Sequence, residues 1–317
     1  MTDLSIDDGL FVDIHGLEQW VTLRGRDVGN PALMIVTGAG AAFSSMAPLF
    51  AAWEQDFTVV QWDQPGAGAT CARHGAAPAP FTYDRLARDG TAVAEWVRAR
   101  LGVKLGLFCV SGGSVTGLKM IAARPDLFGV YVGNGQVVDW TAQEAASYAL
   151  ILAHARAAGD AAAVTEIEAV GPPPWLEIAG DMIKGKYANA MTAPEQAALS
   201  PAVMAHVRTP PEDAAYVARG LPAVDPYVSS LAAYEALKPE LGRFKARELG
   251  PGFSVPMVFL QGAQDAHTTT PEVAAYAAQI DAPAVVYEEI AEGGHMSSFL
   301  TDRIGDLLVR HARLWLL

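Results

Sequence analysis

The sequence predicts an α/β architecture: a mostly parallel, doubly wound central sheet with helices on both faces, interrupted by an all-helical cap. Three observations carry this. Short apolar runs bounded by Gly and Asp alternate with helical patterns up to about residue 138. From 139 to 249 only helical patterns remain, and from 250 the alternation resumes and continues to residue 317. The expected organisation is a first core part over 1–138, a cap insert over 139–249 and a second core part over 250–317, one interrupted unit rather than two independent domains. At 51% hydrophobic and 18% charged residues, the 317-residue chain has enough apolar material for a full core.

Taken in order, residues 10–25 (LFVDIHGLEQWVTLRG) alternate apolar and polar positions around His15-Gly16, which reads as an antiparallel hairpin. The runs 33–37, 57–62, 104–110 and 129–133 are continuously apolar, as strands covered on both faces are. Between them, 82–101 sets Leu86, Val93, Trp96, Val97 and Leu101 roughly along one helical face, and 114–124 reads as a helix stopped by Pro125. In the insert, helices are expected at 140–158, 160–169, 192–206, 211–219 and 228–238, broken by prolines at 172–174, 210–211, 222 and 226. A buried strand returns at 255–262, followed by a helix at 271–280, a strand at 284–289 and a last helix at 297–316.

Composition excludes several classes. Lys+Arg 22 against Asp+Glu 35 gives a net charge of −13 without a basic block, a poor match for nucleic acid or an anionic membrane. Cys71 and Cys109 make neither a disulfide framework nor a CxxC knuckle. The acidic N-terminus does not read as a signal peptide, and the longest apolar stretches fall short of the ~20 residues of a membrane helix. A soluble protein of a reducing, cytoplasmic compartment is expected. No cofactor or metal is expected either. Gly38-Ala39-Gly40 lacks the third glycine of a dinucleotide fingerprint, with Phe43 in its place, and neither GK[ST] nor HExxH occurs.

The chemistry concentrates at strand ends. The strand over 104–110 runs into Ser111-Gly112-Gly113-Ser114 and then a helix, the strand–turn–helix setting of a nucleophile elbow. The tight turn demands small residues two places either side of the serine; here these are Cys109 and Gly113. Ser114 is the rival, but it lacks the second glycine and falls in the first helical turn. Of seven histidines, His295 in EGGHMSS follows the last strand, where Gly293 and Gly294 let the loop swing its ring over the sheet edge. His267 also follows a strand but lies beside the expected acid, Asp265, in GAQDAHTTTP. Backbone N–H groups of Gly112 and of Gly38, after the 33–37 strand, are the expected oxyanion donors.

On these residues the chain resembles the proline iminopeptidase-like α/β-hydrolases, almost end to end and least in the cap. Ser111, Asp265 and His295 follow the chain order of that fold. Val36-Thr37-Gly38-Ala39-Gly40 stands where that family has a His-Gly-Gly-Pro-Gly loop, and Trp62–Gly68 (WDQPGAG) resembles its Asp-Gln-Arg-Gly-x-Gly segment, whose expected job is to brace the loops under the site. The resemblance implies Ser111 as nucleophile, His295 as base, Asp265 as acid, and small aminoacyl amides or short peptides as substrates. An esterase or other amidase on an apolar acyl compound is the alternative, and a non-hydrolytic lyase or binding member of the fold a further one. The cap lacks the family's Trp-x-x-Trp-Glu segment, where carboxylates hold a substrate amine. Glu144, Glu166, Glu168, Glu177, Glu212 and Glu235 remain open candidates for that role, and Trp140, Tyr148 and Trp175 for lining a pocket.

Overall fold

The computed structural model describes residues 4–38, 41–175, 177–192, 195, 199, 220–221 and 228–317. Eight strands form one sheet: β1 (Ile6–Ile14), β2 (Leu17–Gly25), β3 (Ala32–Val36), β4 (Thr58–Asp63), β5 (Leu105–Val110), β6 (Phe128–Asn134), β7 (Met257–Gly262) and β8 (Val285–Ile290). Their spatial order is β1-β2-β4-β3-β5-β6-β7-β8. The β1–β2 hairpin turns at His15-Gly16, and β2 joins β4 antiparallel; every other pairing is parallel. β3 lies between β4 and β5, so the chain leaves it in opposite directions, and a crevice opens at the carboxyl ends of β3 and β5.

The parallel strands are apolar throughout because both faces are covered. Along β3, Met34 and Val36 join one core cluster and Leu33 and Ile35 the other, the period-two alternation of a pleated strand. On the first face pack α2 (Tyr83–Leu101), α3 (Gly113–Ala123) and α8 (Thr270–Ala277), through Leu86, Val93, Val97, Val115, Leu118, Val273 and Tyr276. On the second lie a 3₁₀ segment at Ser44–Gln55 and α9 (Thr301–His311), through Phe50, Trp53, Ile304 and Leu307. The expected helix 297–316 is therefore three pieces, because Leu300 leaves helical geometry between a 3₁₀ turn at Ser297–Phe299 and α9, and a second 3₁₀ turn follows at Arg313–Trp315.

The short α1 (Gly68–His74) precedes α2. Helices of the insert are α4 (Trp140–Ala157), α5 (Ala161–Val170), α6 (Ile178–Ala190) and α7 (Val228–Leu241). α6 has no counterpart among the expected elements, and the expected helices 192–206 and 211–219 lie outside the described residues. The insert leaves and rejoins the core at a neck: Asp139 pairs with Lys245, and Ala246 N donates to Val138 O at 2.6 Å. It has its own apolar cluster, in which Ile151, Leu152, Ile167 and Ala188 meet Ala266 of the core loop after β7. Among the described residues, no helix is long and apolar enough to cross a membrane.

Candidate active site

β5 delivers Ser111 at the crevice with φ +52°, a left-handed conformation that costs a non-glycine residue energy and persists only where its surroundings enforce it. The enforcement is visible. Ser111 N donates to Asn134 O at the end of β6 (2.9 Å). Gly113 lies so close to β3 that a Cβ there would stand 2.1 Å from Val36 O. Cys109, on the other side of the serine, is accommodated by a second glycine. A Cβ at Gly117, one turn into α3, would stand 2.2 Å from the Cys109 sulfur. Burial pushes the Cys109 thiol's pKa well up, which keeps it a protonated packing group.

Ser111 Oγ lies 2.9 Å from His295 Nε2, and His295 Nδ1 lies 3.0 Å from Asp265 Oδ2. A carboxylate only accepts, so Nδ1 carries the proton in that bond and Nε2 is left to accept from the serine hydroxyl. Asp265 is buried and well supplied with donors. His267 N (2.8 Å) and Thr268 N (2.9 Å) donate to Oδ1; Thr268 Oγ1 (2.7 Å) and Gln261 Nε2 (3.1 Å) donate to Oδ2. Burial alone would raise its pKa. The charge and hydrogen bond of His295, the charge of His267 and the Thr268 hydroxyl outweigh burial and hold the carboxyl well below its ordinary value. Asp265 therefore stays ionised against the imidazole. His267 stacks on His295 (centroids 4.6 Å apart, planes at 28°), and burial together with the positive field of His295 drives its own pKa down.

Gly38 and Gly112 face each other: a Cβ on Gly38 would lie 3.7 Å from Gly112 N. Among the described residues, neither glycine's N–H is engaged in a hydrogen bond. Gly112 is also the N-cap of α3, whose dipole favours negative charge at that end. Ala39 and Gly40 lie outside the described residues. The Asp63-Gln64 segment braces this loop, with Gln64 Nε2 donating to Thr37 O (3.0 Å) and Asp63 Oδ2 accepting from Ala69 N (2.8 Å). Ser114, the alternative nucleophile, is fully buried; its hydroxyl donates to Ser111 O (2.6 Å) and accepts from Val137 N (2.9 Å). Both capacities of that hydroxyl are committed to holding the turn.

Trp140, Glu144, Trp175, Lys238 and Arg243 line a cavity of about 410 Å³ at the base of the insert, and Tyr148 meets Trp175 edge-on. Of the cap carboxylates singled out from sequence, Glu166 pairs with Lys186 and Glu168 with Arg156, while Glu177 and Glu235 are exposed. Glu212 lies outside the described residues. Glu144 is buried, and its Oε1 has no hydrogen-bond partner; burial raises its pKa, against the nearby ammonium of Lys184. Sequence reasoning missed Lys184, buried over the Trp140 ring at 4.1 Å, and Glu195, which bonds to the His295 loop. No local signal marks either, because each is defined by partners distant in the chain.

A sheet of this topology, with an elbow after β5 and a Ser–His–Asp line across three strand ends, is the α/β-hydrolase fold. The chain is an α/β hydrolase by fold. It is 26% identical over 312 residues to the Probable aminopeptidase YbaC of Bacillus subtilis (strain 168), covering 95% of both chains, and is a distant homologue of it. No family model matches the sequence. Among solved structures, it resembles the proline iminopeptidase-related protein TTHA1809 from Thermus thermophilus (TM-score 0.63, 19% identity, 96% of this chain and 98% of that one). It also resembles the esterase RhEst1 from Rhodococcus sp. ECU1013 (TM-score 0.57, 14% identity, 98% of this chain and 100% of that one).

Proposed function

We propose that the protein is a serine hydrolase acting through an acyl-enzyme on small aminoacyl amides or short peptides with a free amino terminus. The observation that carries this reading is the line Ser111 Oγ, His295 Nε2, His295 Nδ1, Asp265, with steps of 2.9 and 3.0 Å. Ser111 Oγ attacks the substrate carbonyl carbon as its proton passes to His295 Nε2. The carbonyl oxygen becomes an oxyanion against the Gly38 and Gly112 N–H groups. Collapse of the tetrahedral adduct breaks the C–N bond, and the leaving nitrogen takes the proton back from His295. Water then repeats the sequence on the ester, releasing the acid and restoring Ser111. Asp265, ionised throughout, holds the tautomer and stabilises the imidazolium.

Kinship with a probable aminopeptidase supports the aminoacyl choice, and Glu144 is the cap carboxylate best suited to a substrate ammonium. Lys184 and Lys238 already set positive charge against its burial, and a bound ammonium would give its unpartnered oxygen a donor. The test is a panel of aminoacyl arylamides, their N-blocked forms and p-nitrophenyl esters. Free-amine amides should turn over and blocked ones should not; turnover of esters alone sinks the peptidase reading and leaves the esterase one. Ser111→Ala should lose fluorophosphonate labelling and at least ~10⁴-fold in kcat. Glu144→Gln should raise KM roughly 10-fold for free-amine substrates, the loss of one charge-assisted bond, and leave ester KM unchanged.

A further inference from the structure

Asp265 fixes the ring of His295, but the backbone beneath that ring sits in a glycine-rich loop between β8 and the 3₁₀ turn at Ser297–Phe299. Core bonds hold part of this loop, such as Gln264 N to Gly293 O (2.9 Å), and one further hold comes from the helical insert. Gly294 N donates to Glu195 Oε1 at 2.6 Å, across 99 positions of sequence. Glu195 is 1% exposed, so this bond is shielded from water, and burial raises the carboxyl's pKa. Contact is close: a Cβ on Gly294 would stand 2.5 Å from Thr192 Cγ2 and 2.8 Å from Glu195 Oε2. The same stretch of the insert reaches the second imidazole, with Asn189 Oδ1 3.4 Å from His267 Nε2, and His267 is stacked on His295.

We propose that Glu195 is a positioning residue that clamps the backbone at Gly294, next to His295, and thereby sets the distance from Nε2 to Ser111. The proposal rests on reading His295 as the base. Its Oε1 is committed to the Gly294 N–H, which distinguishes Glu195 from a carboxylate wholly open to a substrate amine. The requirement is an acceptor oxygen at this place, not a negative charge. Glutamine satisfies it, alanine does not, and aspartate falls short by one methylene.

The experiment measures the rate of fluorophosphonate labelling at Ser111, which depends on the base and involves no substrate amine, together with kcat and KM on the best substrate of the panel. Glu195→Gln should stay within about 3-fold of the parent in all three. Glu195→Ala should lose roughly 10- to 100-fold in labelling rate and kcat, with KM within about 3-fold, because a misplacement of the order of 1 Å is felt in the chemical step. If the alanine variant does not fold by circular dichroism, Glu195→Asp serves instead and should label several-fold slower than the parent. Parent-rate labelling of either folded variant, in a background where His295→Ala abolishes labelling, overturns the clamp alone. So does a Glu195→Gln variant that labels normally but has a raised KM confined to free-amine substrates, since the carboxylate then meets substrate. Parent-rate labelling of His295→Ala overturns the base reading and the clamp with it.

Discussion

Asp265 shows how far one side chain's surroundings can be committed to a single charge state. Four donors besides His295 converge on its two oxygens, and the carboxyl stays ionised below the ordinary aspartate value of about 3.9. The sign of the resulting pH dependence follows. Between the folded and unfolded values, the unfolded chain binds a proton that the folded one refuses, so stability is full above about pH 4 and falls as the pH drops below it. The urea midpoint of the parent should therefore decline from about pH 5 to about pH 3, and that of Asp265→Asn should decline less steeply from a lower starting level. Parallel curves would mean that this carboxyl titrates alike in both states. Ser111, Asp265 and His295, which the structure brings into one line, could be picked out from sequence because each lies just past the end of a strand and the turn residues around it are distinctive. Glu195 could not, since a glutamate bonded to a loop 99 positions away looks in sequence like any solvated helix residue.

At the scale of elements, the elbow is a packing problem solved by strand and helix together. The small residue expected two places before the serine is a cysteine, and the room its sulfur needs is supplied by Gly117 in α3. A methyl group at 117 would meet Cys109 Sγ at 2.2 Å and the Tyr131 ring at 3.0 Å, so Gly117→Ala should destabilise by about 1–3 kcal/mol despite alanine's better helix propensity. Cys109→Gly removes the sulfur at its own cost in a buried strand. In the double variant the two effects should fall short of additive by at least about 1 kcal/mol in denaturant unfolding; strict additivity would show that the pair does not share the space. The buried strands β3 to β7 could be read from sequence because they are continuously apolar, and α2 because Leu86, Val93 and Val97 recur at helical spacing on its buried face. α6 could not, because its buried face is Gly180, Lys184 and Ala188, a helical stripe with no hydrophobic pattern to detect. Its lysine is held by Trp140 of α4, a contact that exists only after the insert has folded.

For the whole molecule, the acidic balance that excluded nucleic acid at the outset bears on the proposed substrate class. The insert is tied to the core at the Asp139–Lys245 neck, at Ala266 beside Asp265 and at Gly294 beside His295, so it is joined to the loops that carry the proposed triad. A net charge of −13 gives the molecule as a whole a field that attracts cations and is shortened by salt, to a Debye length of about 10 Å at 0.1 M. For a free-amine arylamide, kcat/KM should fall a few-fold as NaCl rises from about 20 to about 200 mM, mostly through KM. The matched N-blocked or neutral ester substrate, if turned over at all, should stay within about 1.5-fold over the same range, since it carries no charge for the field to act on. Equal salt dependence for charged and neutral substrates would mean that the acidic surface serves solubility alone, whereas a difference confined to the ammonium-bearing series, and diminished in Glu144→Gln, would connect the charge of the whole chain to one buried carboxylate in its cap.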